Sequence, residues 1–231
     1  MAMASSGANV RGMFDRIAHR YDHANRVMSA GIDVLWRRKA ISLLMRGTPD
    51  DARFLDLGAG TLDGALAIAA KSPTATVVAA DFARNMLAAG RRKKGADRIS
   101  AQVADGHALP YRDQVFDGAF SAFCVRNLYD LPRALAELRR VLRPGAQVAI
   151  LEFFRPEKRR WFWDGFYNPH VLPLLGRAIT GDRAAYEYLP DSIGRFRSLA
   201  EFLGLLREAG FADAAGTPLF PSGIASLVTA R

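Results

Sequence analysis

The residues best placed to do chemistry sit in and after one glycine-rich turn. Leu55-Asp56-Leu57-Gly58-Ala59-Gly60-Thr61 sets two glycines and a hydroxyl directly behind a short apolar run. Glycine admits positive φ and lets a ligand approach the backbone, and a helix that follows offers unpaired N–H groups. Asp81 ends the next apolar run, where a carboxylate can accept both hydroxyls of an adenosine ribose; Phe82 adjoins it. The glycines are spaced Gly58-x-Gly60-x-x-x-Gly64, not Gly-x-Gly-x-x-Gly, and Asp56 before them would repel a pyrophosphate. A cationic amino acid–sulfonium ligand suits that acid, so the residues favour S-adenosylmethionine over a nicotinamide dinucleotide. Asp105-Gly106, after a third apolar run, would lie near the adenine. The bland alternative is a tight strand-to-helix turn with an N-capping aspartate.

These residues need a scaffold, and the surrounding pattern supplies one. Strands are expected at Arg53–Leu57, Thr76–Ala80, Ile99–Ala104, Phe116–Phe123 and Gln147–Leu151. Helices at Asp63–Lys71, Ala83–Arg92 and Pro132–Leu142 alternate with them, the last carrying Leu135, Leu138 and Leu142 at three- and four-residue spacing and ending at Arg143-Pro144-Gly145. Such alternation predicts an α/β fold with a parallel sheet covered on both faces, ligands sitting at the carboxyl ends of the strands. Asp56, Asp81, Asp105 and Glu152 all fall at those ends. Residues 11–45 read as an N-terminal helical segment, and 155–195, rich in aromatics and proline, as a helical insertion. A helix over Leu199–Ala209 and strands at Ala212–Gly216 and Ile224–Thr229 finish the chain.

With 231 residues, the expectation is one domain over 1–231, its cofactor core at 53–151. The lone Cys124 excludes a disulfide framework and a multi-cysteine metal site, and no metal is expected. No apolar run approaches the ~18–20 residues that span a bilayer, and Met1–Val10 lacks a basic start followed by an apolar stretch, so a cytoplasmic protein is expected. The net charge is +9, but only five of the 32 basic residues are lysine. They cluster at Arg37-Arg38-Lys39, Arg91-Arg92-Lys93-Lys94 and Lys158-Arg159-Arg160, read first as solvated faces. No nucleic-acid motif accompanies them, so no nucleic-acid partner is expected.

A second pattern runs nearly the length of the chain. It opens with Phe14-Asp15-Arg16-Ile17-Ala18, Tyr21-Asp22, Asn25, Ser29, Gly31 and Trp36-Arg37. It continues through Leu109-Pro110, Phe116-Asp117, Phe123-Cys124-Val125-Arg126-Asn127, Val141–Gly145 and Leu151-Glu152-Phe153. In the insertion stand His170-Val171-Leu172-Pro173, Gly176, Asp182 and Tyr186–Ile193. Through these residues the chain resembles the ubiquinone/menaquinone-biosynthesis C-methyltransferases. The resemblance implies a class I methyltransferase fold, a Rossmann-like, seven-stranded, mostly parallel sheet with helices on both faces. It implies S-adenosylmethionine contacts at Tyr21, Asp56, Gly58, Gly60, Thr61, Asp81, Phe82, Asp105 and Gly106. It also places Arg126 and Asn127 near the reacting groups, with Tyr21, His170, Tyr186 and Tyr188 framing a quinol pocket. The chain departs from the family pattern at Leu62, Cys124 and Ala146, where glycine is usual, and at Ala122, where serine is usual.

The implied reaction methylates a ring carbon of a prenylated quinol, either demethylmenaquinol or a ubiquinone precursor. Arg126 is expected to stabilise the phenolate, since a guanidinium keeps its proton. His170 is the candidate proton acceptor, imidazole titrating near pH 6.5, and Asn127 and Tyr186 are the other catalytic candidates. Each has a plainer reading: a salt bridge at the sheet end for Arg126, a helix-cap histidine for His170, core aromatics for Tyr186 and Tyr188. The basic, aromatic stretch 155–189 could meet an anionic bilayer at the inner membrane face, and an oligomer is compatible with the sequence. Two other functions stay open: a non-catalytic methyltransferase-like subunit of a quinone-biosynthesis assembly, or a methyltransferase of another small aromatic or polyketide.

Overall fold

The computed structural model of the protein describes residues 2–19, 21–29, 31–157, 183–220 and 225–231. Its centre is a seven-stranded sheet: β1 Arg53–Leu57, β2 Thr76–Asp81, β3 Ile99–Val103, β4 Phe116–Ala122, β5 Leu142–Phe153, β6 Ala215–Pro218 and β7 Ala225–Ala230. The spatial order is β3-β2-β1-β4-β5-β7-β6. β1 to β5 run parallel, while β7 is antiparallel to both β5 and β6. The order reverses between β1 and β4, so their carboxyl ends open a crevice at the topological switch point. This is the mostly parallel sheet that the resemblance implies.

The helices are α1 Ala2–Ile17, α2 Tyr21–Met28, α3 Ile32–Leu44, α4 Asp63–Lys71, α5 Arg84–Gly90, α6 Leu131–Val141, α7 Arg183–Arg195 and α8 Leu199–Glu208. Alternation along each strand divides the core in two. Leu55 and Leu57 join Leu135 and Leu138 of α6 and Phe202 and Leu206 of α8 on one face. Phe54, Val77 and Ala79 join Ile41 and Leu44 of α3 and Ile68 of α4 on the other. Asp56 shares the side of Phe54, so its carboxyl enters the α3–α4 layer beside Gly64. No helix among the described residues is long and apolar enough to cross a membrane.

Several boundaries differ from the sequence reading. The fifth strand begins at Leu142, not Gln147: Leu142 pairs with Phe116, and a register shift absorbs Arg143–Ala146 before Gly118 meets Gln147. Gly145, at φ 76, makes that detour. The N-terminal helix starts at Ala2, well ahead of residue 11, in a stretch without apolar periodicity. β6 and β7 each lie slightly later than expected.

Leu62 caps the N-terminus of α4 at φ 69, a left-handed conformation that costs a branched side chain about 1–2 kcal/mol. Burial offsets this. The side chain is fully buried against Gly90 of α5, where an added Cβ would lie 2.6 Å from Leu62 Cγ. Leu62 therefore fastens α4 to α5 behind the glycine turn. Leu62→Gly is expected to relieve the strain yet lose more in packing, a net cost of about 1–3 kcal/mol. Thermal melting checks this; a higher melting temperature for the variant would show that strain outweighs packing.

Candidate active site

The turn after β1 is built by backbone hydrogen bonds. The N–H groups of Gly58 and Ala59 donate to Ala80 O at 2.8 and 3.1 Å, which pulls the turn over the end of β2. Gly58 and Gly60 adopt φ 71 and 52. A second constraint acts at Gly58, because an added Cβ would lie 2.1 Å from Cys124 Sγ. Asp81 is fixed by the same turn: Gly60 N–H donates to Oδ2 and Ala83 N–H to Oδ1, both at 2.8 Å. Burial pushes its carboxyl up to about 6, with these donors opposing the shift. Each oxygen keeps a lone pair for a ligand hydroxyl.

Asp56 is handled differently. It is buried, and its Oδ2 has no hydrogen-bond partner among the described residues. Burial pushes it up to about 7, against a backbone hydrogen bond from Ala65 and the charge of Arg37. Asp105 shows the opposite balance. Burial raises its carboxyl, but the backbone and ring N–H groups of His107 hold it below the usual carboxylate range. Those donors lie at 2.9 and 2.6 Å, while Asp130 N–H donates to His107 Nε2 at 3.2 Å, fixing the tautomer with hydrogen on Nδ1.

Two cavities open at the switch point. The larger, about 520 Å³, is walled by Tyr21, Gly58, Gly60, Asp81, Phe82, Asp105, Gly106 and Asn127, with Phe14, Cys124, Leu128 and Tyr129. The smaller, about 50 Å³, shares Tyr21, Gly58, Gly60, Ala122 and Phe123 with it and reaches inward to Asp56, Thr61 and Arg37. All nine expected cofactor residues therefore line one cavity or the other. Of the four departures from the family pattern, Leu62 and Ala146 line neither, Cys124 lines the larger and Ala122 lines both.

The N-terminal helices close over this region. Thr61 Oγ1 donates to Asp22 of α2 and accepts from Lys93 Nζ at 3.1 Å. Lys93 also bridges Asp22 and Asp63, each at 2.6 Å. On α1, Asp15 accepts from Asn85 N–H in the first turn of α5 at 2.9 Å, and Phe14 meets Tyr21 edge-on. Two clusters expected on solvated faces thus send Arg37 to the wall of the smaller cavity and Lys93 to Thr61 at its edge. Apart from Asp33, one turn before Arg37 on α3, their acidic partners Asp22 and Asp63 lie on α2 and α4, distances along the chain that hide the pairing.

Arg126 is held in a buried ion pair at the sheet end. Its guanidinium does not face the larger cavity: Nη1 meets Glu152 Oε1 at 2.6 Å and donates to Phe123 O at 3.0 Å, and Nε donates to Ser192 Oγ at 3.3 Å. Its backbone N–H reaches Glu152 Oε2 at 3.2 Å. Glu152 is fully buried and demands a compensating cation, so the plainer salt-bridge reading describes this contact. Asn127 does reach the cavity, and its Oδ1 accepts from Tyr188 of α7 at 2.9 Å. Tyr188 also packs on Met13 and Ile17 of α1. Tyr186 falls in α7, its side chain outside the described set, and His170 lies outside the described residues.

The sequence matches the ubiE/COQ5 methyltransferase family over residues 2–230. It is 39% identical to the ubiquinone/menaquinone biosynthesis C-methyltransferase UbiE of Geobacter sulfurreducens, over 92% of this chain and 84% of that protein. It is 43% identical to the demethylmenaquinone methyltransferase of Thermus thermophilus, over 86% of this chain and 91% of that one. Among solved structures, phosphoethanolamine N-methyltransferase 2 of Haemonchus contortus, in complex with S-adenosyl-L-methionine, superposes with a TM-score of 0.59. That match has 22% identity and covers 79% of this chain and 39% of that one, a likeness of fold. A seven-stranded sheet with a polar crevice at its switch point, in a sequence matched almost end to end, has one reading: the chain belongs to the ubiE/COQ5 methyltransferase family.

Proposed function

We propose that this chain, as one methyltransferase domain over 1–231, methylates a ring carbon of a prenylated quinol such as demethylmenaquinol or a ubiquinone precursor. The observation that carries the reading is the larger cavity, which joins an acid able to hold a ribose to an apolar wall of Phe14, Phe82, Leu128 and Tyr129. S-adenosylmethionine is the methyl donor, and when bound it supplies an electrophilic methyl on a cationic sulfur. The site fits it. Asp81 has free lone pairs for two ribose hydroxyls, the glycine turn lacks the Cβ atoms that would fill the cavity, and Asp56 offers a buried carboxyl with an unpartnered oxygen.

The chain's own residues then have distinct tasks. Asn127 borders the space for the quinol, and Tyr188 fixes its amide by donating to Oδ1. The buried Arg126–Glu152 pair is close to neutral overall, so its part is to hold the turn carrying Asn127 in place, not to present free positive charge. Alignment of the ring carbon with the methyl group is the main service such walls can offer. His170 remains the proposed proton acceptor, Tyr186 a proposed catalytic residue of the quinol pocket, and 155–189 the proposed contact with an anionic bilayer. Because Leu62 and Ala146 stand away from both cavities, they do not favour the non-catalytic alternative.

Binding of S-adenosylmethionine by calorimetry, with methylation of demethylmenaquinol in detergent, tests the function; binding without turnover on any quinol would return the scaffold reading. Tyr188→Phe is expected to lower kcat about five- to tenfold, the loss of one positioning hydrogen bond, with cofactor affinity unchanged. Equal losses in both would assign Tyr188 to the fold alone.

Asp56 gives a pH prediction. Its carboxyl is raised in the folded protein from 3.8 to about 7, so folding favours its protonated form. Its contribution is present below the unfolded value, falls as pH rises from about 4 to about 7, and is constant above that. Asp56→Asn removes this dependence. The ligand-free variant should gain several degrees in melting temperature over the parent at pH 8 and less at pH 5, at about 1.4 kcal/mol per pKa unit and ~2–4 °C per kcal/mol. A gain independent of pH would count against the burial of this charge.

A further inference from the structure

Exposed large apolar side chains are distributed unevenly over this molecule. Among the described residues they are Val27, Leu35, Val103, Tyr129 and Phe220, the last 87% exposed. All five lie on the carboxyl side of the sheet. Val103 ends β3, Tyr129 stands in the loop after β4, and both line the larger cavity. Phe220 follows Pro218 by two residues, and Pro218 is level with Glu152 at the rim, since Ser226 of β7 pairs with both. Leu35 sits in the first turn of α3, between the cavity residues Asp33 and Arg37, and Val27 in the last turn of α2, which closes over the glycine turn. Single exposed hydrophobics are ordinary, whereas a set confined to one side marks a surface made for contact.

Charge follows the same division. Trp36 Nε1 donates to Phe220 O at 3.0 Å, which ties Phe220 to the start of α3 beside Leu35. The helical period puts Leu35, Arg38, Lys39 and Ser42 on the outer face of α3, opposite Asp33, Arg37 and Ile41. Arg38 and Lys39 are exposed and have no acidic partner among the described residues. Lys71 adds a third cation there, donating to Ser42 Oγ at 2.9 Å. The opposite, amino edge of the sheet is different in kind. Asp50, Asp51, Asp97, Asp113 and Asp213 are exposed there, interspersed with Arg98, Arg112, Arg143 and Arg231. No exposed large apolar side chain accompanies them among the described residues.

We propose that the outer face of α3 and the neighbouring Phe220 dock on an anionic bilayer surface, Leu35 and Phe220 entering the headgroup boundary while Arg38 and Lys39 meet lipid phosphates. Apolar side chains beside unpaired cations match the two layers of such a surface, a greasy boundary under negative headgroups. The mixed charges of the amino edge match neither. The inference deepens the proposed function and rests on it for the choice of partner, because a prenylated quinol is dissolved in lipid. Seated in this way, the molecule turns its carboxyl rim, and with it the larger cavity bordered by Val103 and Tyr129, toward the membrane that holds the substrate. This face is separate from 155–189, and it accounts for the two members of the Arg37-Arg38-Lys39 cluster that do not serve a cavity.

Co-sedimentation of the full chain with phosphatidylcholine vesicles, with and without phosphatidylglycerol, tests this. The parent should partition at least about tenfold more strongly onto vesicles containing phosphatidylglycerol, and high salt should remove the preference. Leu35→Glu combined with Phe220→Glu should weaken binding at least about tenfold. Arg38→Glu combined with Lys39→Glu should abolish the lipid preference. Both double variants should keep the parent's rate on demethylmenaquinol dispersed in detergent. Failure of the parent to bind either kind of vesicle would overturn the proposal, and that measurement needs no variant. Undiminished binding by both double variants would overturn it too, and leave 155–189 as the whole contact. So would self-association of the parent in sedimentation velocity, lost in these variants while vesicle binding is kept, which would give the face to a second copy. Turnover in detergent is read separately: its absence with the expected vesicle binding defeats the proposed function and upholds the surface.

Discussion

Negative charge gathered at one edge of a parallel sheet is the constraint around which this molecule is organised. Parallel strands deliver Asp56, Asp81 and Glu152 to the same rim, where each is buried. Three buried carboxyls cannot stand together without help, and each receives a different kind. Glu152 is met by a full cation, Arg126. Asp81 is met by backbone dipoles of the glycine turn and of the residue that caps α5. Asp56 is given a single backbone donor and a distant guanidinium, and retains an unmatched oxygen. The three solutions grade the rim from structural to receptive, and the least satisfied carboxyl faces the cavity in which a cation would be most welcome.

The neutral pair matters for the opposite reason. Satisfied by Arg126, Glu152 also accepts from Phe153 N–H at 2.7 Å, so one carboxylate ties the end of β5 to the turn after β4. That turn carries Phe123 at φ 56, stacked on Phe153 with ring centroids 4.8 Å apart. A left-handed aromatic residue is costly and persists where its surroundings over-determine it. The ion pair, the stacked rings and the bond from Ser121 Oγ to Leu57 O at 2.8 Å together do so.

Much of this was legible in the sequence. The strands that end in Asp56 and Asp81, and the helices between them, follow from short apolar runs and glycine turns, and those two acids could be assigned from strand ends alone. The family resemblance supplied Tyr21, Thr61 and the importance of Asn127. What stayed hidden were pairings across the fold. Arg37 and Lys93 sat in basic clusters of ordinary appearance, and the acids that draw them inward lie on other elements, Asp33 excepted. That one exception, four residues before Arg37 on the same helix, was the available signal. The ion pair of Arg126 was hidden for a similar reason: its partner Glu152 lies on another strand, so the pair exists only once β4 and β5 are neighbours. His107 lies two residues from its partner Asp105, but the contact that fixes its tautomer comes from Asp130 at the start of α6.

The closure over the glycine turn has a salt-sensitive side. α1 and α2 contribute no strand to the sheet, and they are fastened to it by the bridge from Asp22 through Lys93 to Asp63, by Asp15 at the start of α5, and by small apolar clusters around Met13, Ile17, Ala18 and Tyr21. Partly exposed ion pairs contribute little free energy and are screened by salt. The two helices are therefore held by small apolar clusters and salt-sensitive pairs, the kind of attachment whose stability hydrogen exchange reads separately from that of a sheet. Raising the ionic strength weakens this fastening and leaves the hydrogen-bonded sheet beneath it untouched.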